Sequence, residues 1–160
     1  MANTRNAGRK HKFNKNDVEK MLQMISSGKN IDEVAKAFGT SRQVVGRYIN
    51  RKADSNFTHR YIYMFKHKPM TIIDVNFLDK QIKIQNRTDD IYNRAFGCIT
   101  EPNWEQFEKF LSDRVIQKTR FDLQKVLNSL GVEHYDPLII IDKTKGKIEG
   151  DKFWLKMKKY

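Results

Sequence analysis

Two short runs of helical periodicity meet at Gly39, and the spacing around that glycine constrains the fold more than any other feature of the chain. In IDEVAKAFGTSRQVVGRYI, residues 31–49, the apolar positions are Val34, Phe38, Val45 and Tyr48, and Ala35 is the small one. Helices this short are marginal alone and hold only by packing on each other. A steep crossing needs a small residue where the backbones meet and a glycine free to adopt a left-handed conformation between them. Asn30 with Glu33 three residues later is an N-cap signature for the first helix, predicted from Ile31 to Phe38. Thr40 or Ser41 can cap the second, which runs to about Asn50. Upstream, Val18, Met21, Leu22 and Ile25 define one face of a helix starting near Asn16 and ended by Ser26, Ser27 and Gly28.

The 160 residues carry 31 Lys and Arg against 19 Asp and Glu, a formal net charge of +12. Residues 1–52 hold 12 basic and 4 acidic side chains, and residues 53–160 hold 19 and 15. A third of the length thus has two thirds of the surplus, as a partner rich in phosphate would favour; a solvated basic surface is the alternative. No apolar run approaches the roughly 20 residues that cross a bilayer. The N-terminus lacks the apolar core of a secretory signal, so a soluble protein of the cytoplasm, with no membrane partner, is expected. Cys98 is the single cysteine and reads as a buried, inert thiol. The four histidines are scattered, and neither a metal nor a cofactor is expected.

Residues 1–14 have no periodic apolar positions and read as a flexible basic arm, followed by a three-helix domain over 15–52 and a linker over 53–59. Residues 60–160 read as an α+β domain that dimerises or binds a partner: a small antiparallel sheet packed with about four helices. Tyr61, Tyr63 and Phe65 alternate in the first strand, TIIDVNF is the second and QIKIQN the third. Helices are predicted in DDIYNRAFG and in NWEQFEKFLSDRV, where Trp104, Phe107, Phe110 and Leu111 share a face. Another runs from Arg120 to Leu130, with Phe121, Leu123, Val126, Leu127 and Leu130 inward and Gly131 as terminator; the last starts at Asp136–Pro137 and ends near Gly146. Phe153, Trp154 and Leu155 dock on the core ahead of a basic tail. The aromatic strand admits two readings, a platform for unpaired bases or plain core packing, and core packing is the simpler.

The six positions around Gly39 resemble a helix-turn-helix. The likeness extends over GRKHKFNKNDVEKMLQMISSGKNIDEVAKAFGTSRQVVGRYINRK, which is similar to the DNA-binding domain of the resolvase and invertase family. In that family a Gly-Arg arm lies in the minor groove before a three-helix bundle, and Gly8 and Arg9 stand in the corresponding place. The resemblance implies that the second helix enters a major groove about 12 Å wide. Its outward side chains are then Ser41, Arg42, Gln43, Gly46, Arg47 and Asn50. Arginine pairs bidentately with guanine, and glutamine or asparagine with adenine. Thr40, Arg51 and Lys52 suit the backbone, and Arg5, Arg9, Lys10 and Lys12 a minor groove. The same bundle would serve, alternatively, as a scaffold for a protein partner.

Catalysis is not expected: Asp89, Asp90, Glu101, Asp136 and Asp142 are dispersed, and no phosphate loop, serine elbow or Cys–His pairing is present. The stretches NRTDDIYNRAFG and FEKFLSDRVIQKTRFDLQKVLNSLGVEHYDPLIIIDKTKGKIEGDKFW resemble a domain of mobile-element proteins in Gram-positive bacteria, implying a phage or integrated-element origin. The leading expectation is a sequence-specific protein for double-stranded DNA, a transcriptional regulator acting in a bacterial host cell as a homodimer. A second reading is an anti-CRISPR inhibitor fused to a helix-turn-helix, with a Cas nuclease or its guide RNA as partner. A third is an accessory factor that bends DNA.

Overall fold

The computed structural model describes residues 12–51 and 56–160, and the chain divides into two compact units, Met1–Arg51 and Lys52–Tyr160. Three helices build the first: α1 (Lys15–Ser26), α2 (Ile31–Ala37) and α3 (Arg42–Ile49). Asn14 and Asn30 each close a reciprocal capping box, with Asp17 and Glu33 respectively, so both helices start where their orphan amides are satisfied. Ser41 caps α3 through Oγ, which accepts the Val44 N–H. Met21, Val34 and Val45 are fully buried where the three helices meet, with Ala35 and Ile49 beside them. Of the expected arm over 1–14, residues 1–11 lie outside the described residues. Residues 12–14 belong to the bundle, because Phe13 packs edge-on against Phe38 and Tyr48 and Asn14 caps α1.

The second unit is α+β. Its strands are β1 (His59–Phe65), β2 (Lys68–Asn76), β3 (Gln81–Asn86) and β4 (Phe153–Lys159), antiparallel in the order β3-β2-β1-β4. The fourth strand is where the sequence predicts only docked aromatics and a basic tail. Those residues form an edge strand, with Tyr63 opposite Leu155 and Phe65 opposite Phe153. The linker expected over 53–59 loses its C-terminal part to the sheet: Phe57 is buried, Thr58 donates its N–H to the Val75 carbonyl at 3.1 Å, and His59 starts β1. Residues 52–55 lie outside the described residues. A register shift between Tyr63 and Met64 places Pro69 beside a bulge, where the missing N–H is tolerated.

Among the described residues three α-helices accompany the sheet, α4 (Trp104–Asp113), α5 (Leu123–Leu130) and α6 (Pro137–Thr144); α4 and α6 reach the sheet core, and α5 packs through Leu127 against Val132 and Ile140 in a separate cluster. Tyr61, Tyr63, Ile73, Val75 and Leu155 meet Phe96, Phe107, Phe110, Leu111 and Ile141 in one core, with Trp104 partly buried against it. The base-stacking reading of the aromatic strand is thereby excluded for Tyr61 and Tyr63, which are 2% and 8% exposed. Burial and the nearby Asp142 and Asp136 carboxylates push the Tyr61 phenol up to about 12.

Three expectations fail for local reasons. The helix predicted in DDIYNRAFG is only a 3-10 turn at Ile91–Asn93, because side chains capture the backbone groups that a helix needs. Thr88 Oγ1 accepts the Asp90 N–H, Asp90 accepts the Tyr92 N–H, and the Arg94 guanidinium donates to the Thr88 carbonyl. Cys98 follows in a turn after left-handed Gly97 and is exposed, not buried. Helix α5 starts at Leu123, not Arg120: a turn closed by the Arg120–Asp122 ion pair precedes it and leaves Phe121 100% exposed.

Candidate nucleic-acid interface

The turn between α2 and α3 is set by Gly39, whose φ of +57° is the left-handed conformation that its position requires. The Gly39 and Thr40 amides bond to the Lys36 and Ala35 carbonyls at 3.2 and 2.9 Å, which closes the end of α2. Ala35 is 5% exposed, and Val34 and Val45 are fully buried between the helices. The apolar side of α3 is thus Val45 and Ile49, with Tyr48 partly buried beside them.

What remains of α3 faces outward. Arg42, Gly46 and Asn50 form one row at four-residue steps, and Gln43 and Arg47 form the row beside it. Ser41, Arg42, Gln43, Arg47, Asn50 and Arg51 are exposed, and Thr40 and Gly46 are half-buried. Ser41 serves the cap as an acceptor, which leaves its O–H to donate and puts the hydroxyl at the N-terminal end of the row. A Cβ added at Gly46 would meet only the Asn50 Nδ2, at 3.9 Å. The glycine is therefore not demanded by packing and keeps the middle of the row low. Lys12 sends its Nζ to the Gly39 carbonyl at 3.4 Å, beside the turn. Arg5, Gly8, Arg9, Lys10 and Lys52 lie outside the described residues.

The structure adds groups that the periodicity did not single out. Asp32 on α2 pairs with Arg42 at 3.7 Å, both side chains being mostly exposed at 62% and 70%. Such a pair is worth little in water, so it holds Arg42 near α2 without withdrawing it from an external partner. The Tyr48 hydroxyl accepts the Lys12 N–H at 2.8 Å and fastens α3 to the segment entering α1. The available signal was Phe13 directly before the Asn14 cap, a pattern that fixes how a chain enters a helix.

The outward row combines fork-shaped cations with amide side chains on a short exposed helix, held at a fixed angle by a buried seam. That combination matches phosphate and base edges together. The chain matches no curated protein and no solved structure. Its residues 8–52 match the family model for the helix-turn-helix domain of resolvase, a span that includes all three N-terminal helices. The N-terminal unit is thus similar to a helix-turn-helix domain of resolvase, a likeness that supports DNA binding, and α3 stands as the second helix of that motif.

Proposed function

We propose that the protein is a sequence-specific regulator of transcription, encoded by a phage or mobile element and acting on double-stranded DNA in a bacterial cytoplasm. The observation that supports this reading is the outward row of α3 and its C-cap, in which Arg42, Gln43, Arg47 and Asn50 are exposed around the half-buried Gly46. In this account Arg42, Gln43 and Arg47 read base edges, Gly46 lets the helix approach closely, and Thr40, Ser41 and Arg51 hold phosphates. Arg9 and Lys10 reach the adjacent minor groove.

A reader of this size makes few base contacts, and two copies on paired half-sites supply the affinity that one lacks. The C-terminal unit serves as the pairing module, and the protein binds rather than catalyses. Its dispersed carboxylates have local structural work. Asp90 and Asp136 accept backbone N–H groups at helix starts, and Asp89 pairs with Arg94 at 3.5 Å. No helix among the described residues is long and apolar enough to cross a membrane.

Selecting random duplexes with the full chain and footprinting the winners tests this reading. Two protected half-sites of opposite orientation, their centres about 10–10.5 base pairs apart or a multiple of that, are expected. Retention of random sequences without enrichment would contradict sequence-specific reading. A single asymmetric site bound by one copy would contradict the pairing role.

A further inference from the structure

The two inner strands, β1 and β2, turn back on each other through Lys66 and His67, at the end of β2 opposite its turn into β3. Lys66 has a φ of +51°, and Lys145, the residue that ends α6, has a φ of +56°. Both are left-handed positions, where glycine or asparagine is favoured and a lysine is strained. The fold brings these two positions together. Lys66 donates its N–H to the Lys152 carbonyl at 2.9 Å, and the Trp154 indole donates to the Lys66 carbonyl at 2.7 Å. Leu155 donates its N–H to the Lys145 carbonyl at 2.7 Å, and Arg114 donates to the Gly146 and Phe153 carbonyls. The segments joined in this way carry Lys66, Lys68, Lys145, Lys147 and Lys152. All five are exposed, and no ion pair to any of them is found among the described residues. The adjacent carboxylate, Asp151, is engaged by the Arg114 guanidinium and the Phe153 N–H.

We propose that these five lysines, gathered around the β1–β2 turn, form a second nucleic-acid surface that holds the phosphate backbone of duplex DNA without reading its sequence. Charge complementarity commits the cluster to a polyanion, because the adjacent Asp151 is already neutralised by Arg114 within the fold. Protection of the sheet edges does not account for Lys66 and Lys68, since β3 and β4 are the edges. Turn formation does not account for Lys66 or Lys145, since asparagine would fit both with less strain. What lysine adds at those two positions is charge. A turn fastened by backbone and indole hydrogen bonds presents that charge with little left to order on binding. The proposal rests on the DNA-binding role of the first unit only in naming duplex DNA as the ligand.

The test uses the full chain and a duplex of scrambled sequence, titrated between about 50 and 200 mM salt, the range over which phosphate contacts are lost. One variant carries Lys66→Asn, Lys68→Gln, Lys145→Asn and Lys147→Gln. Its charge-matched control carries Lys80→Asn, Lys83→Gln, Lys118→Gln and Lys125→Gln, all exposed positions. Lys80 is also left-handed, at φ +51°, but lies in the turn between β2 and β3. The cluster variant is expected to bind with a logarithmic salt slope shallower by about 0.9 per phosphate contact removed, while the control keeps the wild-type slope. Lys66→Asn and Lys80→Asn alone both raise the melting temperature, and only Lys66→Asn reduces the slope. Preference for a selected site over scrambled DNA stays unchanged in the cluster variant, whereas Arg42→Ala with Arg47→Ala abolishes that preference if the α3 reading holds. The two readings thus fail separately. Equal slopes in wild type, cluster variant and control would overturn the proposal, even if binding of duplex RNA fell. A cluster variant that melts below wild type would also overturn it, since that assigns the lysines to the fold.

Discussion

The two units use arginine in opposite ways. In the helix-turn-helix, Arg42 and Arg47 stand in solvent; in the sheet unit, Arg60, Arg87 and Arg114 are 2%, 6% and 7% exposed. A guanidinium in water keeps its donors available to an external anion. A buried one must find its acceptors within the fold, because desolvation otherwise costs several kcal/mol. Arg60 has Asp74, and Arg114 gathers the Gly146 and Phe153 carbonyls together with Asp151, joining the end of α4 to the loop before β4. Burial and the neighbouring Arg60 push Arg87 down to about 10. Location rather than residue type separates a binding cation from a structural one.

The contrast is sharpest at Asp74. Asp74→Ala leaves the buried Arg60 guanidinium without its bidentate carboxylate and is expected to cost about 3–5 kcal/mol. Urea denaturation followed by tryptophan fluorescence measures this directly, because both tryptophans, Trp104 and Trp154, lie in the sheet unit. Arg42→Ala, judged by far-ultraviolet circular dichroism, is expected to change stability by less than about 0.5 kcal/mol, since its pair with Asp32 is exposed. A large loss there would erase the distinction between the two kinds of arginine.

Gly46→Ala separates folding from binding within one residue. A helix-interior alanine is favoured by about 0.8–1 kcal/mol over glycine, and the added methyl meets only the Asn50 Nδ2 at 3.9 Å. Thermal melts are expected to show a more stable bundle, and gel shifts a weaker complex. A variant that is both more stable and fully active would remove Gly46 from the interface. Phe121→Ser is expected to move sheet-unit stability by less than about 0.5 kcal/mol, because the ring is wholly exposed.

The smallest effect is one of pH. His59 lies opposite Lys159, and burial first, then that ammonium, holds its pKa below the ordinary 6.5. The unfolded chain therefore binds the proton more readily than the folded one. This contribution to stability is full above 6.5 and is lost as pH falls below that value. Replacing His59 by Gln is expected to flatten this part of the stability profile relative to wild type, measured by urea denaturation at a series of pH values.

The same contrast explains what could be read from the chain alone. The N-terminal unit is built from local signals: Asn30 with Glu33, Gly39, and apolar residues at three- and four-residue steps, all within one short segment. The row on α3 follows once the buried side is fixed. The sheet unit depends on partners far apart in sequence. Residues 153–159 form a strand because β1 offers an edge to pair with, and the alternation of Phe153, Leu155 and Met157 with Trp154, Lys156 and Lys158 is short and flanked by more lysine. Phe121 belongs to a helical stripe by spacing, yet the turn at Arg120–Asp122 takes it out of the helix. The Arg60–Asp74 pair is invisible until two strands align.

The central claim is that the outward row of α3 discriminates between DNA sequences, and the most direct measurement compares wild type with Arg42→Ala plus Arg47→Ala on one selected duplex and one scrambled duplex. Each lost bidentate contact is worth about 1–3 kcal/mol of discrimination, so the double variant is expected to bind the two duplexes almost equally while its circular dichroism spectrum stays that of the wild type. A double variant that keeps the wild-type preference for the selected duplex would contradict the account.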